Sequence, residues 1–460
     1  MSTVLNVVVM LLMLLSVDSP AALSAGSDPR GIGDTSSVAW HALRAPEHIN
    51  TTSHVAGNGL PRMGGVPVVL AQVGDGKGER SGIGLKERGP DRKASTETKP
   101  KLSDSRTVWK SEDLDMLGVG ISVGDVDGDG KNEIVIIDPG TVYVYRFDGI
   151  KMNRVAEYTP AALELKSVDV AKLRKQGPCR IYVSAQNRGQ VASFVLEYRN
   201  GALTPVVSDF DYFLRVINYP TVGPILVGQR KSLSRMYEGP IYRLIDKGDG
   251  LEVEGRFGVP LKIPVFGFAI GDFEGNRKPL IAVYDKNDHL RIYAPDGKKI
   301  FVTKDFYGGS DVLMRWHGPE QRDRSTVFMD EEKELIFFRP RIMALDLDGD
   351  SVYEIVAITH GSKTMRVLSR TKMLEDGQIK GLLWNADTLD ERWATPKISG
   401  LIADFAVDGL PGLQGLRLIT LERKKTDWLS FLRSKSQVRA YDVEQLIKGS
   451  RYGGRRDAED

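Results

Sequence analysis

The sequence predicts an all-β protein folded as a β-propeller, and three observations carry that expectation. From residue 106 onward, a unit of apolar strand, Asp-containing turn, second apolar strand and further amphipathic strands recurs. Its strands include runs such as Ile134-Val135-Ile136-Ile137 that are apolar without alternation, the pattern of strands buried on both faces. The two chain ends also complement each other: the last unit runs out one strand short after residues 439–443, while Thr107–Lys110 precedes the first unit and is free to supply that strand. Pairing them closes the ring and removes exposed sheet edges.

The unit begins at residues 118–125, 162–169, 213–219, 266–272, 341–346 and 400–404, which predicts six blades, with seven as the alternative. Second strands are expected at 134–137, 180–184, 225–227, 280–284, 355–359 and 417–421. Third strands are expected at 142–147, 192–198, 239–245, 290–294, 365–368 and 438–443.

Two of the turns carry chemistry. In Gly124-Asp125-Val126-Asp127-Gly128-Asp129-Gly130-Lys131-Asn132-Glu133, carboxylates fall at positions 1, 3, 5 and 9 of a loop. Their mutual repulsion is costly unless a cation sits among them, and the oxygen-rich set points to calcium. An EF-hand is excluded, because position 12 is Ile136 inside a β-branched run where that motif needs a bidentate Glu and a following helix. Asp346-Leu347-Asp348-Gly349-Asp350-Ser351-Val352-Tyr353-Glu354 repeats the spacing between two further strands. A third turn, Asp272-Phe273-Glu274-Gly275-Asn276, has Leu280 at position 9 and cations at Arg277 and Lys278, and reads as a degenerate copy. At Asp169, and at Asp404 with Asp408, the spacing is lost.

The string from Val123 to Val135 resembles the FG-GAP/VCBS repeat, the calcium-bearing blade motif also found in the integrin α-subunit propeller. Val142-Tyr143-Val144-Tyr145-Arg146-Phe147, the segment 265–272 and Val438-Arg439-Ala440-Tyr441-Asp442 resemble exported bacterial VCBS-repeat proteins. The resemblance covers residues 106–446. It implies a first calcium site from the side chains of Asp125, Asp127, Asp129 and Glu133 with the carbonyl of Lys131. It implies a second from Asp346, Asp348, Asp350 and Glu354 with the carbonyl of Val352, where Ser351 replaces the more permissive glycine. Asp272, Glu274 and Asn276 form the weak third set. The ions' expected role is structural: each ties two strands of a blade.

Outside the repeats the sequence predicts an N-terminal signal peptide over 1–25, from the 14-residue apolar run 4–17 followed by small residues. A disordered Gly/Pro/Ser-rich linker without periodicity is expected over 26–104, the propeller over 105–447 and a disordered tail over 448–460. These features predict export to the periplasm or cell exterior, an uncleaved anchor being the alternative, with no further membrane span. With 63 basic and 61 acidic residues there is no global field to attract nucleic acid. A single cysteine, Cys179, excludes an intrachain disulfide.

No catalytic constellation stands out. Gly120-Ile121-Ser122-Val123-Gly124 matches a serine-hydrolase string, yet Ser122 falls mid-strand, where no nucleophile elbow forms. His289, His317 and His360 are each alone in sequence and read as surface or rim positions; Trp316, Trp384, Trp393 and Trp428 read as core or rim packing. The favoured expectation is a monomeric, non-enzymatic scaffold that binds a protein or glycan partner. The alternative is a polysaccharide-directed hydrolase or lyase with its site in the propeller channel. Polar residues from several blades converging on the channel favour the enzyme; an apolar plug favours binding.

Overall fold

A computed structural model describes residues 106–231, 239–260, 263–316, 334–362, 374–385, 387–424 and 434–453. The expected signal peptide and linker, and the third strand expected at 365–368, lie outside the described residues. So do His317 and Trp428.

The first five repeats fold into antiparallel blades of four strands in chain order, with one short extra strand in blade 2, and the sixth supplies three strands to its blade. After β1 (Thr107–Lys110), blade 1 holds β2 (Gly120–Gly124), β3 (Glu133–Ile137), β4 (Val142–Phe147) and β5 (Met152–Tyr158). Blade 2 holds β6 (Glu164–Ala171), β7 (Arg180–Asn187), β9 (Ser193–Arg199) and β10 (Ala202–Phe210), with the short β8 (Gln190–Val191) beside β7. Blade 3 is β11 (Phe213–Tyr219), β12 (Gly223–Gln229), β13 (Ile241–Asp246) and β14 (Leu251–Arg256). Blade 4 is β15 (Phe268–Gly271), β16 (Leu280–Tyr284), β17 (His289–Tyr293) and β18 (Lys299–Phe306). A separate pair, β19 (Leu313–Trp316) and β20 (Glu334–Phe337), precedes blade 5, which is β21 (Ile342–Leu345), β22 (Glu354–Ser362), β23 (Leu374–Asn385) and β24 (Thr388–Ala394). Blade 6 is β25 (Gly400–Leu410), β26 (Leu413–Lys424) and β27 (Ser436–Asp442).

The first strand of each blade lines the centre. β2 packs on β6 and β25, β11 lies between β6 and β15, and β15 meets β21. The fold is a six-bladed β-propeller. As the sequence predicts, the ends join: β1 pairs antiparallel with β27, Trp109 opposite Ala440, and becomes the fourth strand of blade 6. The join is latched by Ser436, whose fully buried hydroxyl accepts from Gly118 N at 2.9 Å and donates to Met116 O at 2.9 Å. Trp109 Nε1 donates to Ile150 O at 2.7 Å, and its ring meets Phe147 edge-on.

The apolar runs are explained by this stacking. In β3, Ile134 and Ile136 pack toward blade 6 with Ile419 and Val438, while Val135 and Ile137 pack toward blade 2 with Val168 and Val183. Similar clusters fill the other blade interfaces, so the core is a ring of apolar layers. After β27 the chain turns into α1 (Val443–Gly453), so residues 448–453, expected as part of a disordered tail, are helical. Val443, Leu446 and Ile447 recur at helical spacing and are buried against the interface of blades 5 and 6. Among the described residues, no helix is long and apolar enough to cross a membrane.

Candidate metal centre

Strand register builds the acidic loops. Gly124 pairs with Glu133, Leu345 with Glu354 and Gly271 with Leu280, so position 9 of each loop closes the hairpin opposite the residue before position 1. A side chain on Gly124 would meet Val170 of the neighbouring blade at 2.6 Å, and glycine is what lets β6 approach.

In the first loop the aspartates also organise the backbone. Asp125 accepts from Gly128 N at 2.7 Å and Gly130 N at 3.1 Å, Asp127 from Asp129 N at 3.0 Å and Asp129 from Lys131 N at 2.8 Å. Gly128 and Gly130 take positive φ to make the turn. Oxygens of Asp125, Asp127 and Glu133 lie within 4.8 Å of one another, while Asp129 stays outside that trio. Glu133 is 1% exposed; its Oε2 accepts from Val126 N at 3.1 Å and its Oε1 has no hydrogen-bond partner. Burial, reinforced by the charges of Asp127 and Asp129, pushes its carboxyl up to about 7.

The second loop repeats this frame. Asp346 accepts from Gly349 N at 2.8 Å and Ser351 N at 3.0 Å, Asp350 from Val352 N at 2.8 Å and Glu354 from Leu347 N at 3.0 Å. Ser351 holds φ at +69° where the first loop has Gly130. Here the close trio is Asp346, Asp348 and Asp350, with Glu354 outside it. The third loop keeps the frame through Asp272 and Asn276, but both Glu274 oxygens are engaged, one by Asn276 Nδ2 at 2.6 Å and one by Trp384 Nε1 at 3.2 Å.

Two arginines that sequence reasoning missed enter these loops. Arg146, on β4, pairs with Asp127, and its Nε stops 3.6 Å from Glu133 Oε1. Arg392, on β24, pairs with Asp348 and reaches Glu354 Oε1 at 3.1 Å. They come from different strands of their blades, so no fixed spacing from the loop points to them.

The first loop also joins three blades. Cys179 N of blade 2 donates to Asp125 O at 2.8 Å, and Asn132 Nδ2 donates to Asp408 Oδ1 at 3.1 Å and Gly409 O at 2.9 Å of blade 6. The Cys179 thiol is half-buried and held above its ordinary pKa by burial. Burial likewise raises the Asp408 carboxyl, against the lowering effect of the Gly409 and Asn132 bonds. A carboxyl raised in the folded state contributes most below its unfolded pKa, and that contribution is lost as pH rises through the folded value. Asp408→Asn keeps an oxygen for both donors, so its melting temperature is expected above wild type at neutral pH, with the two converging in acid.

Charged side chains meet between the inner strands. Arg341, just before β21, holds Asp404 of β25 through Nε at 2.9 Å and Nη2 at 3.0 Å, and Asp169 of β6 through Nη1 at 2.6 Å. It also donates to Val168 O and Ile121 O. Arg215 of β11 reaches Asp169 at 3.3 Å. All four side chains are buried, so charges from four blades meet and are spent on one another. Burial opposes the Arg341 charge, and Asp404 and Asp169 outweigh it, holding its pKa above the usual arginine range. Polar side chains from several blades thus converge at the inner strands, and among the described residues these strands do not meet in the apolar plug that the sequence left as the other alternative.

The remaining sequence readings resolve simply. Ser122 sits mid-strand and accepts from Val170 N at 2.9 Å. Trp384 and Trp393 are buried packing residues. His360 is not a surface residue: it is 5% exposed, facing Gly308 O through Nδ1 and accepting from Ile402 N at Nε2.

No protein-family model matches the sequence, and no curated protein matches it. Solved structures to which the chain is similar include the PQQ-bound aldose sugar dehydrogenase of Streptomyces coelicolor, 12% identical with a TM-score of 0.38, over 73% of this chain and 97% of that one. They also include exotype rhamnogalacturonan lyase YesX, 12% identical with a TM-score of 0.35, over 72% of each chain. BBS1N in complex with ARL6DN is 11% identical with a TM-score of 0.38, over 73% of this chain and 98% of that one. At these scores the likeness assigns no activity to this chain. Structures named as enzymes stand among those the chain is similar to, and the expectation of a non-enzymatic protein is not carried forward.

Proposed function

We propose that this chain is an exported calcium-binding propeller of the FG-GAP/VCBS kind, its ion structural, with loop-built faces that take a protein or glycan partner. The observation that carries the calcium reading is Glu133: a carboxylate 1% exposed, one oxygen without a hydrogen-bond partner, gathered with Asp125 and Asp127. A buried carboxylate left without a partner is costly, and a hard divalent cation among oxygens offsets that cost. Asp125, Asp127, Asp129 and Glu133, with the Lys131 carbonyl, supply an oxygen set of the size calcium takes. Asp346, Asp348, Asp350 and Glu354, with the Val352 carbonyl, offer the same kinds of ligand in blade 5. Because the first loop also bonds to blades 2 and 6, an ion there stiffens a joint between three blades. The N-terminal apolar run supports the export part of the reading.

Equilibrium dialysis of the full chain against calcium chloride tests it. The wild type is expected to retain calcium and an Asp127→Asn/Glu133→Gln chain to lose it from the first loop. A wild type that retains none contradicts the reading.

A further inference from the structure

The two acidic loops share ligands, spacing and register, yet they differ in how far an arginine satisfies them. In blade 5, Arg392 spans the loop: one guanidinium nitrogen pairs with Asp348 and another bonds Glu354 Oε1 at 3.1 Å. Both Glu354 oxygens are then satisfied, the second by Leu347 N. The Arg392 side chain is 19% exposed and Glu354 is fully buried, so the bridge is shielded from water.

In blade 1 the arginine falls short. Arg146 pairs with Asp127, but 3.6 Å separates its Nε from Glu133 Oε1, too long for a hydrogen bond, and neither atom has another partner. The Arg146 side chain is 44% exposed, so it has open solvent into which to withdraw. The close carboxylate trio follows the same division. In blade 1 it includes the position-9 Glu; in blade 5, where that Glu is bridged to arginine, it does not.

We propose that Arg146 and Arg392 are resident cations that decide which loop takes a metal: Arg392 stands in the ion's place in the second loop and keeps calcium out, whereas Arg146 leaves the first loop open to it. The proposal rests on the calcium reading above and adds an order to it. A guanidinium in the carboxylate cage must be displaced before a divalent ion enters, and it repels that ion meanwhile. Blade 5 is thus closed without metal, and calcium dependence is confined to the joint of blades 6, 1 and 2.

The test is stoichiometry by equilibrium dialysis of the full chain against calcium chloride, with Arg392→Met beside the wild type. The expected result is one tightly held ion in the wild type and two in Arg392→Met, affinity at the second loop rising on the order of 10- to 100-fold. Adding Glu354→Gln to Arg392→Met is expected to return the count to one. If Arg392→Met does not fold, Arg392→Lys carries the test, since a single ammonium bridges two carboxylates poorly; it is expected to admit the second ion more weakly. Two ions of equal affinity in the wild type, or one in a folded Arg392 variant, would overturn the proposal and leave the calcium reading standing. No ion in any chain would remove the calcium reading, and this proposal with it.

Discussion

Arg341→Met is expected to destabilise the propeller by about 3–5 kcal/mol, the cost of leaving a buried charge without its partner. Arg341 holds Asp404 with two nitrogens and Asp169 with a third, and it also reaches two backbone carbonyls on neighbouring inner strands. Methionine fills much of the volume and none of the charge. Asp169 keeps Arg215 at 3.3 Å and the Val216 amide at 2.9 Å, whereas among the described residues Asp404 keeps only the Ile121 amide at 3.1 Å. The uncompensated group is therefore Asp404, and Asp404→Asn in the same chain is expected to recover part of the loss. Urea unfolding of wild type, both single variants and the double variant gives the coupling directly. Additive effects would mean that the pair is not the unit described here.

Much of the fold was legible in the sequence because each blade advertises itself. Gly124-to-Glu133 and Leu345-to-Glu354 mark the turn between inner strands, and Ile134 to Ile137 mark burial on both faces. Thr107–Lys110 was readable as the closing strand because the last repeat lacked one. The C-terminal helix was missed: three apolar residues, Val443, Leu446 and Ile447, make a short signal beside so many strands. The central network was missed for a different reason. Asp169 and Asp404 looked like eroded calcium turns, and only the ring brings them to Arg341, 172 and 63 residues away in sequence. The available signal was that of charged residues in or directly beside otherwise buried inner strands, two acidic and two basic, which need each other to be there. Arg146 and Arg392 carried no such signal, since their role depends on side-chain reach across a blade.

Calcium is expected to stabilise the protein through the folded state alone, because the cage of Asp125, Asp127, Asp129 and Glu133 is assembled by the β2–β3 hairpin and is absent from the unfolded chain. At a hundredfold excess over Kd the gain is about 2.7 kcal/mol, which in a domain of this size raises Tm on the order of 5 °C. Glu133→Gln removes the buried carboxylate and its demand for a cation, so that variant is expected to melt alike in both conditions. The measurement that tests the account most directly is thermal unfolding of the wild type in calcium and in excess chelator. A higher Tm in calcium, reversed by chelator and absent in Glu133→Gln, is the predicted result; superimposable wild-type curves would contradict it.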